Sequence, residues 1–312
     1  MKVTHSIVVP VFNEEESLEA FYNSVLSFLD NKKWEYEIVF VDDGSRDRSL
    51  EVLKGFEKKN KKVRIFSFQR NLGKPSALMQ GFAEARGEYI VTMDADLQDD
   101  PDDIPGMIEM LESHDLDMVS GWRKNRKDNM LKVISSRIFN NLMSILFGIR
   151  VHDLNCGLKL YKSEVAKSVN LYGGMHRFIP IIAHEMGYRT GEYVVTHHPR
   201  KYGVSKYSSK KILSDLPDIF TIYFVMKYNN RPLHFFGKFG GAIFLIGFLI
   251  LFYLTILWLM GEPIGNRPLL LFGVLLFITG IQTISTGLIA DLLVNQDQKN
   301  SKSFPLKYES TE

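Results

Sequence analysis

The sequence predicts an α/β fold: a doubly wound, mostly parallel sheet flanked by helices, followed by two transmembrane helices. Three observations carry this expectation. Apolar runs of strand length alternate with helical stretches through the first 93 residues, the order that builds a parallel sheet. The first four of those runs end in polar clusters: Asn13 and Glu14, Asp42 and Asp43, residues 71–74, and residues 94–96. Right-handed crossovers bring such ends to one edge of a sheet, where open α/β folds bind ligands. The third observation is a change of composition near residue 235, after which two long stretches carry no charge.

Taken in order, residues 6–12 read as a buried parallel strand, 13–17 as a polar turn and 18–29 as a helix. A second strand over 36–41 leads into Asp42-Asp43-Gly44-Ser45 and a helix over 47–58. A third strand, 63–68, precedes Arg70-Asn-Leu-Gly-Lys74 and a helix over 75–86 that stops at Gly87. The fourth strand, 89–93, enters the acidic stretch Asp94-Ala-Asp96. On an extended backbone residues i and i+2 face the same way, so these two carboxylates are expected to project together. Like charges this close favour a cation between them, and Mg2+ or Mn2+ suits carboxylate and phosphate oxygens. An acidic solvated turn is the plainer reading of that stretch alone.

The second half is less regular. Residues 117–121 read as a strand, followed by a basic loop over 122–127. Residues 130–147 are amphipathic, with Leu131, Ile134, Ile138, Leu142 and Ile145 on one stripe and Arg137 at its edge. A polar turn over 152–157 precedes Leu158-Lys-Leu-Tyr161, and 196–206 form a flexible basic loop. A second amphipathic run, 212–226, leads into the first uncharged stretch and reads as an interfacial helix beside Lys210, Lys211 and Lys227.

The uncharged stretches, 239–261 and 268–290, are joined by a short polar turn. At 1.5 Å per residue each spans roughly 34 Å, against a hydrocarbon core of about 30 Å. They are expected to form a transmembrane hairpin. Lys227, Arg231 and Lys238 flank the first and Lys299, Lys302 and Lys307 follow the second, so the positive-inside rule places both termini in the cytoplasm. Three domains result: 1–228, the cytoplasmic sheet domain with the amphipathic helices; 229–294, the hairpin; and 295–312, a polar tail. Gly240, Gly241 and Gly247 allow close helix approach, within the hairpin or between copies in a homo-oligomer.

Composition excludes some classes. Lys and Arg number 38 against 36 Asp and Glu, so overall charge gives no reason to expect a nucleic-acid partner. The one cysteine, Cys156, forms no intrachain disulfide and reads as a small buried residue. Residues 1–10 hold too short an apolar run for a signal peptide. No G-x-G-x-x-G follows the first strand and no G-x-x-x-x-G-K-[ST] occurs, which argues against a dinucleotide enzyme or a P-loop nucleotidase.

Five motifs in order, Val9-Pro-Val-Phe-Asn-Glu-Glu15, Val41-Asp-Asp-Gly-Ser45, Arg70-Asn-Leu-Gly-Lys74, Met93-Asp-Ala-Asp-Leu-Gln98 and Gly121-Trp-Arg123, resemble the family 2 glycosyltransferases of GT-A, Rossmann-like fold. The nearest likeness is to the polyprenyl-phosphate glycosyltransferases, including the dolichyl-phosphate mannose synthases, in their bacterial branch with a membrane hairpin. The resemblance covers residues 6 to about 225. It implies a nucleotide-sugar donor, a polyprenyl phosphate acceptor in the lipid bilayer, and Mg2+ or Mn2+. Pro10, Phe12, Glu14 and Asp42 would hold the nucleoside end, with Asp43 and Lys74 on the same rim. Asp94, Asp96 and Gln98 would hold the metal against the diphosphate. Arg123 and Arg137 would receive the acceptor phosphate, and Arg200 and Lys206 would lie over the phosphates. Asp153 is either a handler of acceptor or sugar or a turn-forming residue capping Asn155 and Cys156.

The expected reaction is inverting transfer of a hexose, glucose from UDP-glucose, to a lipid phosphate such as undecaprenyl phosphate at the inner (plasma) membrane, for cell-envelope glycosylation. Mannosyl transfer from GDP-mannose and aminoarabinosyl transfer are the enzymatic alternatives. A non-catalytic scaffold recruiting a flippase or polymerase is the alternative of another class. A processive synthase is disfavoured by the two spans and by the lack of Q-x-x-R-W.

Overall fold

A computed structural model describes residues 3–32, 34–124, 139–141, 143–171, 173–199, 221, 223, 224, 227, 228, 231–265 and 267–300. Arg137, Arg200 and Lys206 lie outside them, as do most of both amphipathic runs. The chain divides into two units, Met1–Phe220 and Thr221–Glu312.

The first unit is built on a seven-stranded sheet. Its strands are β1 (His5–Val11), β2 (Tyr36–Asp42), β3 (Val63–Ser67), β4 (Tyr89–Thr92), β5 (Met118–Trp122), β6 (Lys159–Lys162) and β7 (Thr190–Val194), in the order β3-β2-β1-β4-β6-β5-β7. β1 pairs in parallel with β2 and β4, and β2 with β3. The helices between them are α1 (Glu15–Asp30), α2 (Ser49–Lys59) and α3 (Lys74–Glu84). Every residue of β2 is buried, Glu37 included, whose carboxylate accepts from Ser6 Oγ at 2.7 Å and from Arg64 Nη1 at 3.1 Å. α1 turns Leu18, Phe21, Tyr22, Val25, Phe28 and Leu29 to the core, a helical stripe. α3 packs tightly at Gly81, where a Cβ would lie 2.3 Å from Val8 Cγ1.

The sheet departs from a purely parallel one at β6, which runs antiparallel between β4 and β5, with Lys159 opposite both Thr92 and Ser120. Because β6 runs backwards, the turn entering it lies at the edge where β4 and β5 end. α4 (Ile104–Ser113), α5 (Ser163–Ser168), α6 (Ile179–Glu185) and β7 belong to the same unit. At the end of the first amphipathic run Ile145 is 80% exposed, whereas Met143 and Phe147 are buried. The buried face there is turned away from the predicted stripe.

His5, at the opposite end of β1, is buried and stacked on Trp34 at 4.1 Å. Burial lowers its pKa from 6.5 to about 4, against the pull of Glu112. Between those values the unfolded chain takes up a proton that the fold refuses. The contribution of His5 is therefore complete above pH 6.5 and is lost as the pH falls towards 4, by about 2–3 kcal/mol. Melting of the purified chain should show a steeper acid decline than His5→Phe, which keeps the stack and cannot titrate.

In the second unit, α7 (Pro232–Leu259) and α8 (Pro268–Asn300) are long and apolar enough to cross a membrane. They pack on each other through glycine. A Cβ at Gly247 would meet Phe277 N at 2.5 Å, one at Gly280 Phe244 N at 2.5 Å, and one at Gly240 Gly280 O at 3.0 Å. Gly240 and Gly247 thus serve the hairpin itself, while Gly241 faces open space.

Candidate active site

Four loops meet at the carboxyl edge of the sheet. After β1, Asn13 is left-handed at φ +53. Its N–H donates to Ser45 Oγ at 2.9 Å and its Oδ1 accepts the Arg46 N–H at 2.8 Å. The Glu14 N–H donates to Ser49 Oγ at 2.9 Å. These bonds tie the loop that carries half-buried Phe12 and Glu14 to the loop after β2; Pro10 lies in β1 itself, opposite Val41.

Asp42 and Asp43 are both buried. Asp42 accepts from Ser67 Oγ at 2.7 Å and from the Ser45 N–H at 3.1 Å. Asp43 accepts the Leu72 N–H at 2.7 Å, the Gly73 N–H at 2.9 Å and Asn71 Nδ2 at 2.9 Å. Its carboxylate fixes the loop that presents Lys74. Gly44 has φ +67, and a Cβ there would overlap the Arg70 backbone, so only glycine lets these two loops meet.

The acidic stretch does not continue β4, which ends at Thr92. Residues 94–98 turn sharply, with Leu97 left-handed at φ +62. The expectation that strand alternation aligns Asp94 and Asp96 is therefore replaced by a turn. Asp96 Oδ1 accepts the Gln98 N–H at 3.2 Å, and the Asp94 N–H donates to Asp99 Oδ2 at 3.4 Å. Lys74 Nζ pairs with Asp94 Oδ1 at 2.5 Å. Burial opposes ionisation of Asp94, but Lys74 outweighs it and holds the carboxyl below its ordinary range. Asp99, which sequence reasoning missed, behaves oppositely. Burial, then the charges of Asp94 and Asp96, push it up to about 7 against the pull of Arg123.

The start of the predicted flexible basic loop is pinned to this turn. Asp99 bridges His197, the His198 N–H donates to Gln98 O at 3.0 Å, and Gln98 Nε2 lies 3.3 Å from His197 Nε2. His198 Nε2 lies 2.9 Å from Asp100 Oδ2, and the Thr196 N–H donates to Asp103 Oδ2 at 2.7 Å.

From β5 comes Arg123, buried and bidentate to buried Asp153: Nε to Oδ2 at 2.7 Å and Nη2 to Oδ1 at 3.0 Å. Asp153 also accepts the Asn155 N–H at 3.1 Å, so the turn-forming role holds alongside the ion pair. Glu192 on β7 anchors this turn, accepting the His152 N–H at 2.8 Å and the Asp153 N–H at 3.2 Å. Cys156 is buried against Gly121, its thiol pushed up by burial, as a small packed residue would be.

A divalent cation fits this donor set. A Cβ on Gly157 would lie 2.7 Å from Asp94 Oδ2 and 2.8 Å from Asp99 Oδ2, so two carboxylate oxygens converge where only glycine leaves room. Hard oxygen donors with unbalanced negative charge suit Mg2+ or Mn2+. Among the described residues no group of three His, Cys, Asp or Glu is spaced as a complete metal site. Gly157→Ala should lower turnover about 100-fold or more, with the far-ultraviolet dichroism unchanged, because the methyl group displaces both carboxylates.

The chain belongs to glycosyl transferase family 2, whose sequence pattern matches residues 6–169. It is a glycosyltransferase. Dodecaprenyl-phosphate galacturonate synthase of Rhizobium johnstonii is 40% identical over 303 residues, 96% of this chain and 90% of that protein. Undecaprenyl-phosphate 4-deoxy-4-formamido-L-arabinose transferase of Pseudomonas paraeruginosa is 34% identical over 291 residues, 92% of this chain and 84% of that one. Among solved structures, glucosyl-3-phosphoglycerate synthase from Mycobacterium tuberculosis with UDP aligns at TM-score 0.53 and 17% identity, covering 72% of this chain and 80% of that one. TarS from S. aureus with UDP-GlcNAc aligns at TM-score 0.51 and 17% identity, covering 72% and 67%. These structural matches establish the GT-A fold.

Proposed function

We propose that this glycosyltransferase moves a sugar from a nucleoside diphosphate to the phosphate of a membrane polyprenol, with inversion at the anomeric carbon. The observation that carries this reading is one strand-end rim on which a carboxylate cluster, Lys74 and the Arg123–Asp153 pair stand together. Near-full-length relatives whose names specify polyprenyl-phosphate sugar transfer support the acceptor. The apolar helices α7 and α8 support a place in the membrane, with both termini cytoplasmic by the charge argument. Glucose, the sugar first expected, has no counterpart in those relatives' names, which specify galacturonate and formamido-arabinose.

The chemistry follows from charge. The bond from C1 to the diphosphate breaks as the acceptor phosphate oxygen bonds to C1, and the nucleoside diphosphate leaves with the electron pair. A cation held by Asp94 and Asp96, with Asp99 and Gln98 beside them, would stabilise the negative charge growing on the leaving group. Asp42, Phe12 and Glu14 line the nucleoside side, and Asp43 holds the Lys74 loop in place. The acceptor phosphate is already anionic and attacks without a general base, so its need is orientation. Arg123 offers it Nη1, the nitrogen outside the Asp153 pair, with Arg137 as second donor and Arg200 and Lys206 over the diphosphate.

The test is release of nucleoside diphosphate by the purified chain in detergent, with Mg2+ or Mn2+ and a panel of sugar nucleotides. Release should require undecaprenyl phosphate and place the labelled sugar in the lipid fraction. Release that ignores the lipid would overturn the acceptor.

A further inference from the structure

Behind Asp94 lies a cavity of about 120 Å³, lined among others by Lys74, Asp94, Asn155, Lys159, His176 and Arg177. The mechanism above makes no use of its inner wall. Lys159 is 4% exposed on β6, and its Nζ donates only to the Cys156 carbonyl among the described residues. Arg177 is 8% exposed. Lys74, Lys159 and Arg177 thus border a space whose lining holds one carboxylate among the described residues, Asp94. The buried polar atoms at this wall that lack a hydrogen-bond partner among the described residues include Asn155 Oδ1 and His176 Nδ1. Burial, then the charges of Lys74, Arg177 and Lys159, hold His176 well below its usual pKa, so its ring is neutral. Buried polar atoms cost free energy until they are partnered.

These features describe a ligand. Lys159, buried and bonded among the described residues only to a carbonyl, calls for an anion, and Asn155 Oδ1 calls for a hydrogen-bond donor. An ionised phosphodiester supplies the first and lacks the second. A uronic acid supplies both, a carboxylate at C6 and hydroxyls on the ring. The cavity adjoins Asp94, where the diphosphate is expected, and the sugar is the next group along the donor. We propose that this cavity is the sugar subsite and that it selects a hexuronic acid, with Lys159 and Arg177 holding the carboxylate and Asn155 a ring hydroxyl. This inference rests on the glycosyl transfer proposed above and adds the class of sugar.

The experiment compares UDP-galacturonate with UDP-galactose, which differ only by a C6 carboxylate in place of hydroxymethyl, on the full chain with undecaprenyl phosphate and Mn2+. The uronate should be preferred in kcat/KM by about 10- to 100-fold, the range of a charge-assisted hydrogen bond. Lys159→Gln should collapse that ratio. Equal use of both donors by the wild-type chain overturns the inference, as does an equal loss on both donors in Lys159→Gln, which would assign the cavity to the shared diphosphate. Dissociation constants for both donors, taken without acceptor, separate this inference from the reading beneath it. Tighter binding of the uronate with no turnover refutes the polyprenyl acceptor and upholds the subsite, while equal binding refutes the subsite whatever the acceptor.

Discussion

Asp96→Ala is expected to lower kcat by about 100- to 1,000-fold, the usual cost of removing one group that stabilises leaving-group charge. Asp96 is buried and its Oδ1 accepts the Gln98 N–H. Alanine would therefore remove both the proposed cation ligand and the bond that shapes the turn. Asp96→Asn separates the two effects, because its carbonyl can still accept that N–H while the charge is gone. If charge matters most, the asparagine variant stays nearly as slow as the alanine variant and recovers partly at high Mn2+. Paramagnetic resonance of Mn2+ gives a readout apart from turnover: binding in the presence of nucleoside diphosphate should weaken in both variants. Turnover at the wild-type rate in Asp96→Ala would show that the cation is held elsewhere.

The first half of this fold was legible because its information is local. β1, β2 and β4 are buried runs bounded by polar turns, and α1 carries its own helical stripe. The later elements depend on pairing that no local pattern records. β6, Lys-Leu-Tyr-Lys, reads the same whichever way it runs, and its antiparallel course comes from the path of the chain across the sheet. β7 contains Gly191 and Glu192 and is only half-buried, so it offers no apolar run. α4 begins among Pro101 and Pro105, which read as breakers unless placed at a helix start. At the site, Asp94 and Asp96 were identified by an argument about strands, yet a left-handed Leu97 sets their geometry. That same turn folds Asp99 back on the Asp94 N–H, a contact invisible without it. Asp43 was visible as a rim residue, but its work of holding residues 71–73 appears only in the hydrogen bonds.

The Arg123–Asp153 pair gives the second large effect, on stability. Asp153 is 2% exposed and satisfies two guanidinium nitrogens and the Asn155 N–H. Asp153→Ala leaves the buried guanidinium without its counter-charge, which costs about 3–5 kcal/mol and should lower the Tm by about 10 °C. Removing both charges has a different outcome, since a buried ion pair replaced by apolar side chains of similar volume is often neutral or stabilising. Arg123→Met combined with Asp153→Leu should therefore melt near the wild-type chain while transferring no sugar. A role confined to holding the turn predicts the reverse for function, because a stable double variant would then keep its turnover. Restored stability with lost turnover assigns the guanidinium to the acceptor and the carboxylate to its orientation, and a KM for undecaprenyl phosphate that rises before kcat falls in Arg123→Lys locates the effect at the lipid phosphate.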